Sequence, residues 1–178
     1  MAFLQIVTRT FGRRPTLLAR NQSSLAALRD PDWEQTLVVD EIGRGVNWAN
    51  TNLANVPASS EYVWVLDDDD MCALPSLLST LKRLRAAQVI VMRTQHALFG
   101  VLPHNAHWGG RPVLGDCGWS NYFVRSDVWN AHRAVLANMA CYEADHVFAA
   151  HLWDQGVGFV WHDAIAAIYP QASRGAAE

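Results

Sequence analysis

"YVWVLDDDDM", Tyr62 to Met71, sets five apolar or aromatic residues directly against four consecutive aspartates. The apolar part has the length and composition of a buried strand. Four like charges repel one another, so such a grouping persists only where solvent, a cation or nearby donors offset it. In a parallel α/β sheet, ligands bind in the crevice outside the carboxyl ends of the strands. The stretch therefore predicts a central strand with a site at its end, and a divalent cation is the most direct partner for the acids. The competing reading is an acidic turn open to water. Against it stand the strand immediately before the run and the helix immediately after, which fix the aspartates in ordered structure.

Upstream, "FLQIVT" (Phe3 to Thr8) reads as a strand and "RTFGRRP" as a loop, on its Gly and Pro. From Thr16 to Arg29, Leu17, Leu18, Leu25 and Leu28 recur with helical spacing until "DPDW" breaks the pattern. "TLVVDE" (Thr36 to Glu41) is a second buried strand ending in an acid, and "IGRGVNWANTNLANV" opens on two glycines before a short helix. Downstream, "PSLLSTLKRLRAA" places Pro75 at a first helical position, with Leu77, Leu78, Leu81 and Leu84 on one face and Lys82, Arg83 and Arg85 on the other. "QVIVM" is a fourth strand. Strands alternating with helices give the α/β class: right-handed βαβ units in a single domain, with a mostly parallel central sheet flanked by helices.

From Arg93 to Gly118 the periodicity fades and Gly, Pro and His become frequent, the mark of a functional loop. "WSNYFVRSDVW" returns to a strand, with Ser126 as N-cap of a helix near Asp127 to Asn138. A further helix is predicted from Glu143 to about Gln155, ended by Gly156, then "GFVW" and "AIAAIY" as two short strands. The tail, residues 171–178, is expected to be disordered.

Composition narrows the function classes. The chain has 178 residues, 51% apolar and 17% charged, with a net charge of −3; this is globular, and it offers no broad basic surface for nucleic acid. Three cysteines, an odd number at wide spacings, suit a reducing compartment, so a cytoplasmic location is expected. No secretory leader pattern appears, nor a run of the roughly 18 apolar residues needed to cross a bilayer. Of eight tryptophans, Trp108, Trp119, Trp129, Trp153 and Trp161 fall in the second half of the chain, where some could line a binding surface. Core packing is the favoured reading of Trp119 and Trp129. Phosphate-loop, serine-hydrolase and zincin motifs are absent.

The ordered set "QIVTRT", "TLVVDE", "GRGVNWANTNLANV", "EYVWVLDDDDM", "WSNYFVRSDVW", "EADHVF" and "FVWHD" resembles the GT-A type nucleotide-sugar glycosyltransferases, in particular the family 2-like group. The resemblance runs through most of the chain. It implies a GT-A-like, Rossmann-like domain over residues 1–170, with a nucleotide-binding part at 1–93 and an acceptor and catalytic part at 94–170. "LDDDD" looks like the family's DxD motif. On that match Thr8, Arg9, Asp40, Asp67 and Asp68 border the nucleotide, while Asp67, Asp69 and Asp70, with His162 of "VWHD", are the metal ligands for Mn²⁺ or Mg²⁺. The run of four leaves the register open by one residue.

Asp145 of "EADHVF" matches the catalytic base, with Glu143 as its substitute. Chemically, such a carboxylate takes the proton of an acceptor hydroxyl as that oxygen attacks the anomeric carbon. An acid in the first turn of a helix is also favoured by the dipole alone, and Asp40 and His162 likewise have structural readings as a helix cap and a packed histidine. The implied partners are a UDP- or GDP-sugar donor and a glycan or other hydroxyl acceptor, and a homo-oligomer is left open. Two alternatives stand beside the metal-dependent, inverting transferase. One is a nucleotidyltransferase, disfavoured because "TRTFGRRP" has one glycine; the other is a non-catalytic nucleotide-sugar or glycan-binding module of the same fold.

Overall fold

A computed structural model describes residues 1–139 and 141–170; the expected tail lies outside them. The strands are β1 (Leu4–Phe11), β2 (Trp33–Asp40), β3 (Tyr62–Val65), β4 (Met71–Cys72), β5 (Val89–His96), β6 (Gly100–Leu102), β7 (Tyr122–Arg125) and β8 (Phe159–Tyr169). The helices are α1 (Pro15–Ala26), α2 (Val46–Leu53), α3 (Leu77–Arg83), α4 (Ser126–His132) and α5 (Ala144–Asp154). Short 3₁₀ turns cover Asn105–His107, Trp119–Asn121 and Arg133–Asn138.

The sheet runs in the order β2-β1-β3-β7-β5-β8-β4, with β6 paired to β5. β1 pairs in parallel with β2 and β3, and β5 with β8. β7 lies antiparallel between β3 and β5. Two reversals restore the direction, so β1, β2, β3, β5 and β8 all point one way and their carboxyl ends share one edge. β7 takes β5 along Val89–Val91 and β6 takes it along Thr94–His96, leaving the other edge of β5 to β8.

The period-2 alternation of strands sorts side chains into two cores. Tyr62 and Trp64 of β3 join Leu4 and Ile6 of β1, Ile90 of β5 and Phe123 of β7, under Leu25 of α1 and Leu77, Leu78 and Leu81 of α3. Val63 and Val65 join Val7, Val89, Val91 and Val124 on the opposite face, under Leu53 of α2, Trp129 of α4 and Phe148 and Leu152 of α5. A sheet covered on both faces explains why these strands read as continuous apolar runs.

Several expectations are corrected. "GFVW" and "AIAAIY" are one strand, β8, carried past Asp163 by two register shifts against β5. The "PSLLSTLKRLRAA" helix is only Leu77–Arg83, preceded by a turn at Pro75 and followed by one in which the Ala87 amide bonds the Leu84 carbonyl. The helix expected to Asn138 gives way to 3₁₀ geometry after His132. Part of the Arg93 to Gly118 loop is the β5–β6 hairpin. Residue 93, where the two parts of the single expected domain meet, lies within β5.

Candidate active site

A cleft of about 1180 Å³ opens where the co-directional strands end, with Phe11 of β1, Asp40 of β2, Asp67 to Asp70 after β3, His96 of β5 and Tyr169 of β8 on its lining. That volume exceeds the usual range for a drug-sized ligand. The far wall comes from the second half of the chain, through Leu114, Cys117, Gly118, Trp119, Tyr142, Glu143 and Asp145.

The aspartate turn is built from below. Asn21, fully buried in α1, donates its amide to the carbonyls of Asp67 and Asp70, each at 3.0 Å, while its own oxygen accepts from Gln35. The Arg20 guanidinium donates to the Asp69 carbonyl at 3.0 Å. Asp67 is gripped through two bonds by Arg9, Nε to Oδ1 at 2.7 Å and Nη2 to Oδ2 at 2.5 Å. Arg9 also donates to Asn50 of α2, whose amide reaches the Cys141 carbonyl at 2.9 Å. Asp68, only 2% exposed, accepts from the Thr10 hydroxyl at 2.8 Å and faces Arg14 at 3.4 Å. Asp69 pairs with Arg14 at 3.2 Å. Asp70 keeps one buried carboxylate oxygen, Oδ1, with no hydrogen-bond partner.

These surroundings shift the acids unequally. Burial raises the Asp68, Asp69 and Asp70 carboxyls, Asp70 well above the ordinary range, with Asp67 and its neighbours adding repulsion. Burial likewise raises Asp145 to about 6, against the pull of the His146 amide and Arg9. Asp40 goes the other way: burial opposes its charge, but the amides of Gly45, Ile42 and Gly43 outweigh that and hold its carboxyl low. Its two oxygens accept from Gly43 N at 3.0 Å and Gly45 N at 2.8 Å, closing the turn into α2. Both glycines have positive φ, 77° and 87°, a backbone that side chains with a Cβ rarely adopt.

The structure thus brings Arg9, Asp40, Asp67, Asp68, Asp69, Asp70 and Asp145 around one cleft. Two expected residues stand apart. The fully buried Thr8 accepts from Gln35 at 2.8 Å and lies short of the cleft, which takes Arg9, Thr10 and Phe11 from the end of β1. His162 pairs in register with Met92, two residues before Thr94, the nearest lining residue of β5, and is not itself on the cleft lining. The histidine that does line the cleft is His96, stacked between Tyr169 (4.6 Å) and Phe99 (4.5 Å). Trp129 is core, bonding the Val56 carbonyl, whereas Trp119 packs on Phe148 and also borders the cleft. Cys117 lines the cleft as well, but burial pushes its thiol up to about 12, which leaves it no nucleophile.

Asn21 and Asn50 were legible only indirectly. Asn21 sits between Leu17 and Leu25 at four-residue spacing, a polar side chain in the apolar stripe of α1.

Among the described residues no three His, Cys, Asp or Glu side chains gather around one point able to hold a metal ion. The donor set nevertheless fits a hard divalent cation, which takes one or two carboxylates plus phosphate oxygens of a substrate. The unpartnered Oδ1 of Asp70 is the observation that carries the fit.

No protein-family model matches the sequence, and no curated protein matches it. Solved structures match over nearly the whole chain. One is Staphylococcus aureus TarS 1–349 in complex with UDP-GlcNAc, with TM-score 0.69, 13% identity, and coverage of 99% of this chain and 60% of that one. Another is the mannosyltransferase PcManGT from Pyrobaculum calidifontis in complex with GDP-Man and Mn²⁺, with TM-score 0.68, 14% identity, and coverage of 97% and 58%. The glycosyltransferase GlyE of Streptococcus pneumoniae matches at TM-score 0.55 and 11% identity, over 90% of this chain and 45% of that one. The fold is therefore the GT-A-like one of these glycosyltransferases, and the chain spans about three fifths of the first two structures.

Proposed function

We propose that this chain is a metal-dependent glycosyltransferase domain that moves a sugar from a nucleoside diphosphate donor to an acceptor hydroxyl with inversion. The observation that carries the reading is the convergence of the Asp67 to Asp70 turn and Asp145 on one cleft at the carboxyl edge of the sheet. Charge in the cleft supports it. Asp40, Asp67, Asp68, Asp69, Asp70, Glu143 and Asp145 face only Arg9 and Arg14 among the lining residues, and both arginines pair with these acids. A donor diphosphate would add negative charge to that set, so a cation is required with it. Asp69 and Asp70, beside the Arg9-held Asp67, would hold Mn²⁺ or Mg²⁺, which when bound offsets the charge of the departing diphosphate. The neighbours' ligands, UDP-GlcNAc and GDP-Man with Mn²⁺, favour the same donor class.

Asp145 stands at the start of α5 with Oδ2 facing the Gly118 backbone, where a Cβ on Gly118 would meet it at 3.5 Å. From there it accepts the acceptor hydroxyl's proton as the oxygen attacks from the face opposite the diphosphate. Arg9 positions the Asp67 end of the turn, and Asp40 shapes the loop that borders the base.

Isothermal titration with UDP, GDP, UDP-GlcNAc and GDP-mannose, each with and without Mn²⁺, tests the reading. Cation-dependent binding of a donor is expected; absence of binding to every nucleotide overturns it. The second reading is a binding module of the same fold without turnover. Asp145→Asn separates the two: the enzyme retains donor binding and loses turnover by about a hundredfold or more, whereas a module has no turnover to lose.

A further inference from the structure

We infer that Arg14 is an exchangeable counter-ion of the aspartate turn: it competes with the divalent cation for Asp69, and the cation, by taking that carboxylate, turns Arg14 over to the donor's diphosphate. The inference rests on the transferase reading and gives that same cleft an order of binding, cation before donor.

Two arginines line the acid cleft, and they are held in opposite ways. The Arg9 side chain is 11% exposed, grips both oxygens of Asp67 and donates to Asn50 as well, so it cannot leave without taking the cleft floor apart. The Arg14 side chain is 37% exposed, and its Nη2 lies 3.2 Å from Asp69 and 3.4 Å from Asp68. Both distances exceed the roughly 2.7–2.9 Å of a tight charge-assisted hydrogen bond. A partly exposed ion pair of this kind contributes little and exchanges readily.

The backbone at Arg14 is anchored while its side chain has no structural duty. Arg14 is the N-cap of α1, directly before Pro15, and its amide bonds the Phe11 carbonyl at 2.9 Å, yet its side chain makes no capping bond. The aspartate turn keeps its shape by other means. Asn21 holds the carbonyls of Asp67 and Asp70, Arg20 holds that of Asp69, and the Thr10 hydroxyl holds the Asp68 carboxylate.

Competition follows from Coulomb's law. A guanidinium and a divalent ion on one carboxylate repel each other, so each weakens the other's hold on Asp69, and by the same factor. A diphosphate reverses the sign. Its oxygens offer the guanidinium the two-pronged acceptor that arginine matches best, and Arg14 is the lining arginine not committed to Asp67. Loss of the Arg14 side chain must then push the two affinities in opposite directions, which a merely structural role does not do.

Calorimetric titrations of Mn²⁺ alone, and of UDP and GDP at saturating Mn²⁺, are measured on the wild type, Arg14→Ala, Arg14→Lys and Arg29→Ala. The last removes an exposed arginine beyond the far end of α1 and controls for net charge. Arg14→Ala is expected to bind Mn²⁺ about threefold more tightly and the nucleotide about tenfold or more weakly. Arg14→Lys keeps the charge without the fork, so it retains the wild-type Mn²⁺ affinity and recovers part of the nucleotide affinity. Arg29→Ala leaves both unchanged. Wild-type binding of Mn²⁺ and nucleotide, with Arg14→Ala weakening both, sparing the nucleotide or leaving Mn²⁺ affinity unchanged, overturns the exchange and leaves the transferase reading standing. The exchange also falls if Arg29→Ala reproduces the two shifts, and a wild type that binds no nucleotide overturns both.

Discussion

Asp145 shows how burial converts an ordinary acid into one that titrates in the working range. Burial lifts its carboxyl from 3.8 to about 6. As a base it must be ionised, so turnover is expected to rise with pH through about 6 and then level off. The stability consequence has the opposite sense. An acid with a folded pKa above its unfolded value holds its proton more tightly when folded, so its ionisation destabilises the fold as pH rises across that interval. Asp145→Asn escapes this loss. The variant is therefore expected to be inactive yet more stable than the wild type by about 3 kcal/mol above pH 6, with the gap closing toward about pH 4. Urea unfolding of both proteins across that range measures it; a gap that does not change with pH would remove the assigned shift.

Arg9 presents the contrasting case, a buried cation whose partner gives it its role. Its guanidinium holds both oxygens of Asp67 and reaches Asn50. Arg9→Ala leaves Asp67 and the Asn50 carbonyl without that donor in a partly buried place, and a loss of about 3 kcal/mol is expected in denaturant unfolding. Arg9→Lys keeps the charge but not the two-pronged geometry, and should recover only part of it. The family resemblance put both Thr8 and Arg9 near the nucleotide, and "FLQIVT", mostly apolar with Gln5 and Thr8 on opposite parities, has no alternation to assign faces. Position along β1, with Arg9, Thr10 and Phe11 reaching the cleft and Thr8 short of it, decides between them.

At the scale of elements, the feature most readily read from sequence was the strand and acidic turn of Tyr62 to Met71, because its strand is buried on both faces and its charges can lie only outside the sheet. Strand direction and partners were not legible. Nothing local in "YFVR" says that β7 enters antiparallel between β3 and β5, since that is decided by the long path from β5 through β6 and the Trp119–Asn121 turn. The position of His162 along its strand was not legible for a related reason. "VWHD" looks like a strand followed by an acid, whereas β8 continues through it and uses Asp163 to bind Arg93. The turn depends on a neighbouring element as well. Asn21 of α1 supplies both hydrogens of its amide to the turn's carbonyls. Asn21→Leu preserves helix and volume while removing both donors, so a destabilisation of about 2 kcal/mol is expected from two buried carbonyls left unpaired. Mn²⁺ affinity should fall with it, as the carboxylates lose their common frame. Unchanged Mn²⁺ affinity in a folded Asn21→Leu protein would separate the turn's backbone from its proposed function.

Across the whole molecule the cleft is a place where the fold accepts strain between charges. Asp68, Asp69, Asp70 and Asp145 all have raised pKa values, with burial as the first cause in each. Each therefore binds protons more tightly folded than unfolded, and together they make the free protein less stable as pH rises from about 4 toward neutrality. The chain Asp67–Arg9–Asn50–Cys141 carbonyl crosses the cleft floor and ties the aspartate turn to the segment that leads into α5, so repulsion at the turn bears on the same structure that holds Asp145. A divalent cation relieves that repulsion only in the folded state, and only once the acids have ionised. Mn²⁺ is accordingly expected to raise the melting temperature by about 5 °C or more near neutral pH at a hundredfold excess over its Kd. The same addition near about pH 4 should have little effect, because protons already occupy the sites the cation would take. Asp69→Asn should raise the stability of the metal-free protein at neutral pH while shrinking the Mn²⁺ response. Differential scanning calorimetry of both proteins at the two pH values reads all four quantities, and a Mn²⁺ shift as large in acid as at neutrality would show that the cation acts somewhere other than this cluster.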